Sequence, residues 1–372
     1  MEGLYSDISC RSVSPRIVVT LSMHLDASVL ESVVNESLVR FPQMDVRLSE
    51  DGGLIPLAMP FRLSEDNGHL FRISICHKTV CFDFHRSLAD EHGMMAFVKS
   101  VLYRYIEVQG FRIANDGTVK SLSGNFFPAE GEDPMYKVEN MHASRPVWYM
   151  DAKAFHPSSV EDETAEEDVV QVRIPVSKLK DGFVQMSKEP LTYLTPMLSH
   201  SVYELFRDEI PAGEYVVPSI RVNLRPCFPT ASMRPFYTTV TLAYNRNLND
   251  YPFGTVLMSQ KKLLEAQLKT DALAYYAQRG GTDAESTYDI GFAGMMVLPD
   301  AMQRYVTDIY ALNPSDGHCV SVSIIIFRGE IILSLSGKSS VRRVAENFLD
   351  VLADNGVSAY ISDIFSFVPA VF

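Results

Sequence analysis

The segment FDFHRSLADEHG, Phe82–Gly93, constrains this chain more than any other. Val80–Phe84 alternates in the manner of a strand and runs straight into a turn that holds His85, Arg86 and Asp90. A helix follows over about Met94–Val108, with Val98, Val101, Leu102, Tyr105 and Val108 at helical spacing. A strand that feeds a helix through so ionisable a turn demands a sheet with helices packed on it. It also places a cluster of chemically active groups at a strand end.

The rest of the chain repeats that strand and helix alternation. Arg16–Met23 reads as a strand, and Asp26 offers an N-cap to a helix over Ala27–Arg40 that Pro42 ends. Leu70–Cys76 and Val80–Phe84 predict a hairpin across His77-Lys78-Thr79. Asn115–Asp168 reads as a long, weakly structured connection that closes on the acidic run EDETAEED, residues 161–168, a solvated loop by its composition. This divides the chain into 1–150, a linker at 151–168, and 169–372. The second half predicts strands at Val169–Ile174, Val216–Leu224 and Tyr237–Tyr244. It predicts helices at Ser177–Lys188, Pro196–Arg207, Thr255–Gln278 and Ser340–Asn355, a hairpin of His318–Phe327 with Glu330–Ser336, and a last strand at Val357–Ile361. Interspersed strands and helices in both halves define an α/β (α+β) class with mixed sheets.

Several function classes are excluded early. The 33 basic and 46 acidic residues leave a net charge of −13, the wrong sign for coating nucleic acid. The five cysteines are odd in number and form no CxxC pair, so neither a disulfide framework nor a structural zinc site is expected. Cys76, Cys81 and His85 alternate faces of a hairpin and do not converge on a metal. No apolar stretch approaches the ~20 residues of a membrane span, and the first residues lack the apolar core of a signal peptide. A reducing cytoplasm is the expected compartment. Gly337-Lys338-Ser339 ends like a phosphate loop, but Ile332 stands where the upstream glycine belongs, so it reads as a strand-to-helix turn.

The turn His85–Gly93 resembles the HHxxxDG segment of the CoA-dependent acyltransferase superfamily, and is most similar to the bacterial alcohol-acetyltransferase-like proteins. Leu88, Asp90, Gly93 and the helix after them match in character. Four further segments fit in order and spacing: SIRVNLRPCFP at 219–229, LPDAMQRYV at 298–306, SIIIFRGEIILSLS at 323–336 and FLDVLADNGV at 348–357. The resemblance implies a chloramphenicol acetyltransferase-like fold of two similar lobes, each a mixed sheet with packed helices, and a channel between them. It implies that the second motif histidine, at the lip of the channel, takes a proton from an acceptor hydroxyl that then attacks acyl-CoA. It also implies that Asp90 plays a structural part, accepting from an arginine of the other lobe. Arg225 of the Asn223–Arg225 pair is the expected partner, with Arg221 the alternate.

The chain departs from the motif where the chemistry sits. Arg86 occupies the position of the catalytic histidine, and a guanidinium with a pKa above ~12 cannot act as a general base. His85 matches the first, structural histidine and is a possible substitute; His92 is a weaker one. Glu91 replaces the motif glycine and either crowds the channel mouth or pairs with Arg86. Two functions follow. One is an O-acyltransferase with an altered base, taking a small-molecule alcohol and acyl-CoA as co-substrate, with no permanently bound cofactor. The other is a catalytically inactive relative acting as a binding or regulatory module. The oligomeric state stays open.

Overall fold

A computed structural model describes residues 14–63, 68–146, 152–157, 166–282 and 285–372. The first lobe opens with β1 (Arg16–Leu21), α1 (Ala27–Arg40), β2 (Val46–Leu48), β3 (Leu54–Pro56), β4 (Phe71–Cys76), β5 (Thr79–Phe84), α2 (Glu91–Val108) and the single turn α3 (Tyr136–Glu139). The second half carries β6 (Glu167–Pro175), α4 (Pro190–Phe206), β7 (Pro218–Asn223), β8 (Tyr237–Thr241), α5 (Phe253–Gln267), α6 (Thr270–Ala277) and β9 (Tyr288–Met295). It ends with α7 (Asp300–Gln303), β10 (Val306–Leu312), β11 (Ser321–Phe327), β12 (Glu330–Gly337), α8 (Val341–Asp354) and β13 (Tyr360–Phe367).

Two mixed α/β lobes result. The larger sheet has the order β13-β6-β12-β11-β9-β7-β8, with β9 parallel to both its neighbours. The smaller has the order β10-β1-β5-β4 and is antiparallel throughout. Strand β10 therefore crosses back from the second half to pair with β1, Ala311 opposite Ile17. Every residue of β11 is buried, and the two-residue alternation of a strand shares them between two cores. Val322, Ile324 and Ile326 join the core beneath α4 and α8, whereas Ile325 and Phe327 join the core around α1 and α2. The sheet of the second lobe is thus the wall on which the first lobe rests.

A loop completes the contact. Residues 224–236, between β7 and β8, reach from the large sheet to the start of α2. Met233 packs in the first lobe's core, its amide donates to the Glu130 carbonyl at 2.9 Å, and the Ser232 hydroxyl donates to the Glu132 carbonyl at 2.7 Å. Gly93 is required here: a Cβ at this position would lie 1.8 Å from the Met233 carbonyl oxygen.

Several predicted elements change. The expected helix over Ser177–Lys188 is two 3-10 segments, Val176–Lys178 and Asp181–Ser187. Helix α4 begins at Pro190, which takes the first-turn position, and runs through Pro196 instead of starting there. The long helix over Thr255–Gln278 breaks at Lys269, whose backbone is extended. The buried Gln267 pins the break, donating to the Thr241 carbonyl at 2.7 Å and accepting from Tyr276 Oη at 2.7 Å. The last strand starts at Tyr360, three residues later than expected, because Gly356 at φ +72° ends α8 with the Val357 amide bonded back to Leu352. Strands β9 and β10 answer to no predicted element. Their glycines and aspartates dilute the apolar pattern that reveals the other strands.

The Gly337-Lys338-Ser339 segment is the turn from β12 into α8. Of the acidic run, residues 161–165 lie outside the described residues, and Glu167 and Asp168 open β6.

Candidate functional site between the lobes

Strand β5 ends at Phe84, and the next residues turn sharply because the buried His85 side chain organises them. The Ser87 amide donates to His85 Nδ1 at 3.1 Å, a local side-chain turn of two residues. An acceptor at Nδ1 fixes the ring proton on Nε2. The ring is packed edge-on against Phe372, centroids 6.2 Å apart. Burial, aided by the Arg86 charge, pushes the His85 pKa down. The neutral ring thus has its one basic nitrogen already engaged by the backbone.

Asp90 caps α2. Its Oδ1 accepts from the Gly93 amide at 2.8 Å, and its Oδ2 accepts from Arg225 Nη1 at 2.6 Å and the Phe236 amide at 2.9 Å. Arg225 reaches it from the β7–β8 loop, where its guanidinium also donates to the Ser232 and Arg234 carbonyls. Asn223 Oδ1 accepts from the Arg225 amide and from Nη1, which sets the arginine's direction. Both members of the ion pair are buried. This contact ties the two lobes together and leaves the Asp90 carboxylate no free oxygen.

The neighbouring Glu91 takes a partner the sequence reading does not assign. It pairs with Arg221 on β7 at 2.9 Å, not with Arg86. Arg221 Nη2 also lies 2.9 Å from Asp289 Oδ2 on β9, and Asn313, just after β10, donates to Glu91 at 3.1 Å and accepts from Arg221 at 3.2 Å. Asn313 further donates to Ser323 on β11 at 2.6 Å. Burial pushes the Glu91 pKa up, but the Arg221 charge, the Asn313 hydrogen bond and the Arg86 charge outweigh it and hold the carboxyl below its ordinary value. The flat side of the Arg221 guanidinium lies on Gly291, where a Cβ would come within 3.1 Å of it. Around this cluster, Asp90, His92, Arg221 and Tyr237 line a cavity of only about 20 Å³, room for a single water.

Arg86 points to the crossover loop between β10 and β11, with Nη1 3.7 Å from Asp316 Oδ2. Its Nε is buried without a hydrogen-bond partner among the described residues. Its charge lowers the pKa of both Glu91 and Tyr237 against the effect of burial. His92 sits exposed at the first turn of α2. Crowding by neighbouring atoms and the Arg225 charge lower its pKa against the pull of Asp90. Among the described residues no His, Cys, Asp and Glu group has the geometry of a metal site, and no helix is long and apolar enough to cross a membrane.

Sequence reasoning named Arg86, His85, His92, Asp90, Asn223, Arg225, Glu91 and Arg221. It did not name Asp289, Asn313 or Asp316, because they lie on or beside the two unrecognised strands. The tight NPSDG run at 313–317 is the one local signal that marks this loop.

No family model and no curated protein sequence matches the chain. Solved structures do. Polyketide synthase associated protein 5 from Mycobacterium tuberculosis superposes with a TM-score of 0.64 at 13% identity, covering 93% of this chain and 94% of that one. The epimerization domain from the third module of tyrocidine synthetase B gives 0.57 at 9% identity, over 92% and 91% of the two chains. The starter condensation domain of rhizomide synthetase gives 0.52 at 11% identity, over 96% and 94%. At such identities the likeness is one of architecture, and it spans nearly the whole chain: this protein shares the two-lobed fold of these condensation-domain-like structures.

Proposed function

We propose that this chain is a catalytically inactive relative within its fold class, serving as a binding or regulatory module in place of a histidine-dependent acyltransferase. The reading rests on Arg86 standing where the resemblance puts the general base, with its Nη1 3.7 Å from Asp316 Oδ2. A guanidinium remains protonated at any working pH and cannot take the proton of an attacking hydroxyl. His85 does not replace it, since its basic nitrogen holds the Ser87 amide. The ion cluster of Glu91, Arg221 and Asp289 supports the same reading by filling the space beside α2 with paired charged side chains, next to a cavity of about 20 Å³.

One observation favours the second reading, an O-acyltransferase that uses acyl-CoA and a small alcohol. His92 lines the inter-lobe cavity, and its lowered pKa keeps it neutral and able to accept a proton near pH 7. The two readings separate in a thiol-release assay with acetyl-CoA and simple alcohols. The wild type is expected to release CoA at the buffer rate. Turnover above that rate, lost in His92→Ala, overturns the inactive assignment and installs His92 as the base. In a wild type without turnover, Arg86→His combined with Glu91→Gly is the variant expected to gain activity. General-base catalysis is worth ~10²–10⁴-fold, which such an assay resolves.

A further inference from the structure

The helical face of the second lobe carries a cavity of about 380 Å³ that shares no lining residue with the inter-lobe site. It lies where α4, α8, the start of α5 and the 3-10 turn Arg246–Asp250 meet. Its volume falls within the ~300–1,000 Å³ range of small-molecule pockets.

A chain of hydrogen bonds in its wall fixes the state of one histidine. A carboxylate only accepts, so the Asn249 amide nitrogen donates to Glu204. That turns Asn249 Oδ1 toward Tyr244 Oη, which donates to it at 2.8 Å. With its proton committed there, Tyr244 Oη accepts from His200 Nδ1 at 2.7 Å. His200 is therefore the Nδ1–H tautomer, with a lone pair on Nε2. His200 lines the cavity. Burial lowers the His200 pKa against the opposing effects of the Glu204 charge and the Asn249 hydrogen bond, which keeps the ring neutral near pH 7.

The surroundings are anionic and aromatic. Asp350 and Asp354 of α8 line the cavity, and among the described residues neither has an ion-pair partner, whereas Glu204 is met by Arg207 at 3.6 Å. Phe253 stacks on the His200 ring, centroids 4.4 Å apart, and Tyr251 stands 62% exposed at the rim. A neutral acceptor nitrogen, two uncompensated carboxylates and aromatic faces together complement a cation that has hydrogens to donate and an apolar body.

We propose that this cavity binds a protonated primary amine, its ammonium group held by His200 Nε2 and the aspartates of α8 and its apolar part resting on Phe253 and Tyr251. Isothermal titration of the full chain at pH 8 with 2-phenylethylamine as the probe tests this, with phenylacetate as the anion of similar shape. Saturable binding of the amine and none of the anion is expected. Asp350→Asn and Asp354→Asn are each expected to weaken binding about 3-fold and together ~10-fold, as for solvent-accessible charge pairs. Phe253→Ala is expected to weaken it as well. The two Asp→Asn changes are exposed and leave the fold intact, checked by an unchanged melting temperature. No saturable binding, equal binding of phenylacetate, or full affinity in the doubly substituted chain overturns the proposal.

Discussion

Removing the Asp90 carboxylate probes the junction of the two lobes. Asp90→Ala takes away the charge partner of Arg225 and orphans the Gly93 and Phe236 amides in one step. Breaking a buried ion pair costs ~3–5 kcal/mol, and a lost N-cap alone about 1 kcal/mol. Arg225 retains the Ser232 and Arg234 carbonyls and Asn223 Oδ1, which softens the exposure of its charge. The net expectation is about 4 kcal/mol. Unfolding entropy near 60 °C is roughly 2.1 cal/mol/K per residue. Over 372 residues taken as one cooperative unit, this becomes about 0.8 kcal/mol/K, so the melting temperature is expected to fall by about 5 °C. Asp90→Asn keeps an oxygen for the Gly93 amide but sets its NH2 group against the Arg225 and Phe236 donors, so it is expected to lose a similar amount. Scanning calorimetry on Asp90→Ala, Arg225→Met and the double variant gives the coupling energy directly. A loss under ~1 °C in Asp90→Ala, or single shifts that add within ~0.5 kcal/mol, would refute the claim that this pair joins the lobes.

The cluster beside it is asymmetric: Arg221→Met leaves Glu91 and Asp289 facing each other buried, so it is expected to cost ~3–5 kcal/mol, while Glu91→Gln, which keeps Arg221 paired with Asp289, should cost under half of that in denaturant titrations. Gly93→Ala is expected to disrupt folding outright, because its Cβ meets the Met233 carbonyl oxygen at 1.8 Å; a soluble variant melting within ~2 °C of wild type would show that the β7–β8 loop is not seated as described. Stability should fall as pH drops below ~6.5. Desolvation by neighbouring atoms lowers the pKa of His69, His85, His92 and His200, so the unfolded chain takes up protons before the folded one does. Buried Asp83 and Glu167, with raised pKa values, act in the opposite sense from the carboxylate range upward. His85→Asn, whose Oδ1 can still accept from the Ser87 amide, should flatten the slope of melting temperature between pH 7.5 and 5.5; an unaltered slope would remove His85 from this account.

Much of the architecture is written in local patterns. The Ile-rich hairpin of β11 and β12, the Asp26 cap of α1, and the strand-turn-helix passage through His85 and Asp90 need only propensity, alternation and capping chemistry to be read. The pairing of Asp90 with Arg225 was legible only through the family resemblance, which implies an arginine of the other lobe as the partner of that aspartate. The apolar run Ile324–Phe327 is consistent with a strand buried on both faces, but does not say that Ile324 and Ile325 serve different cores. That follows only once the first lobe lies against the large sheet. Strands β9 and β10 escaped for the same reason. YDIGFAGM is diluted by an aspartate and two glycines, and the place of both strands is set by parallel pairing of β9 with β7 and β11 and by the crossover of β10 to β1. With them went Asp289, Asn313 and Asp316, the residues that decide what Glu91 and Arg86 do. Sequence fixes which charge stands at each position. Which opposite charge meets it is a matter of long-range packing, since Glu91 and Arg221 lie 130 residues apart and are joined only when α2 is laid on the strands of the other lobe.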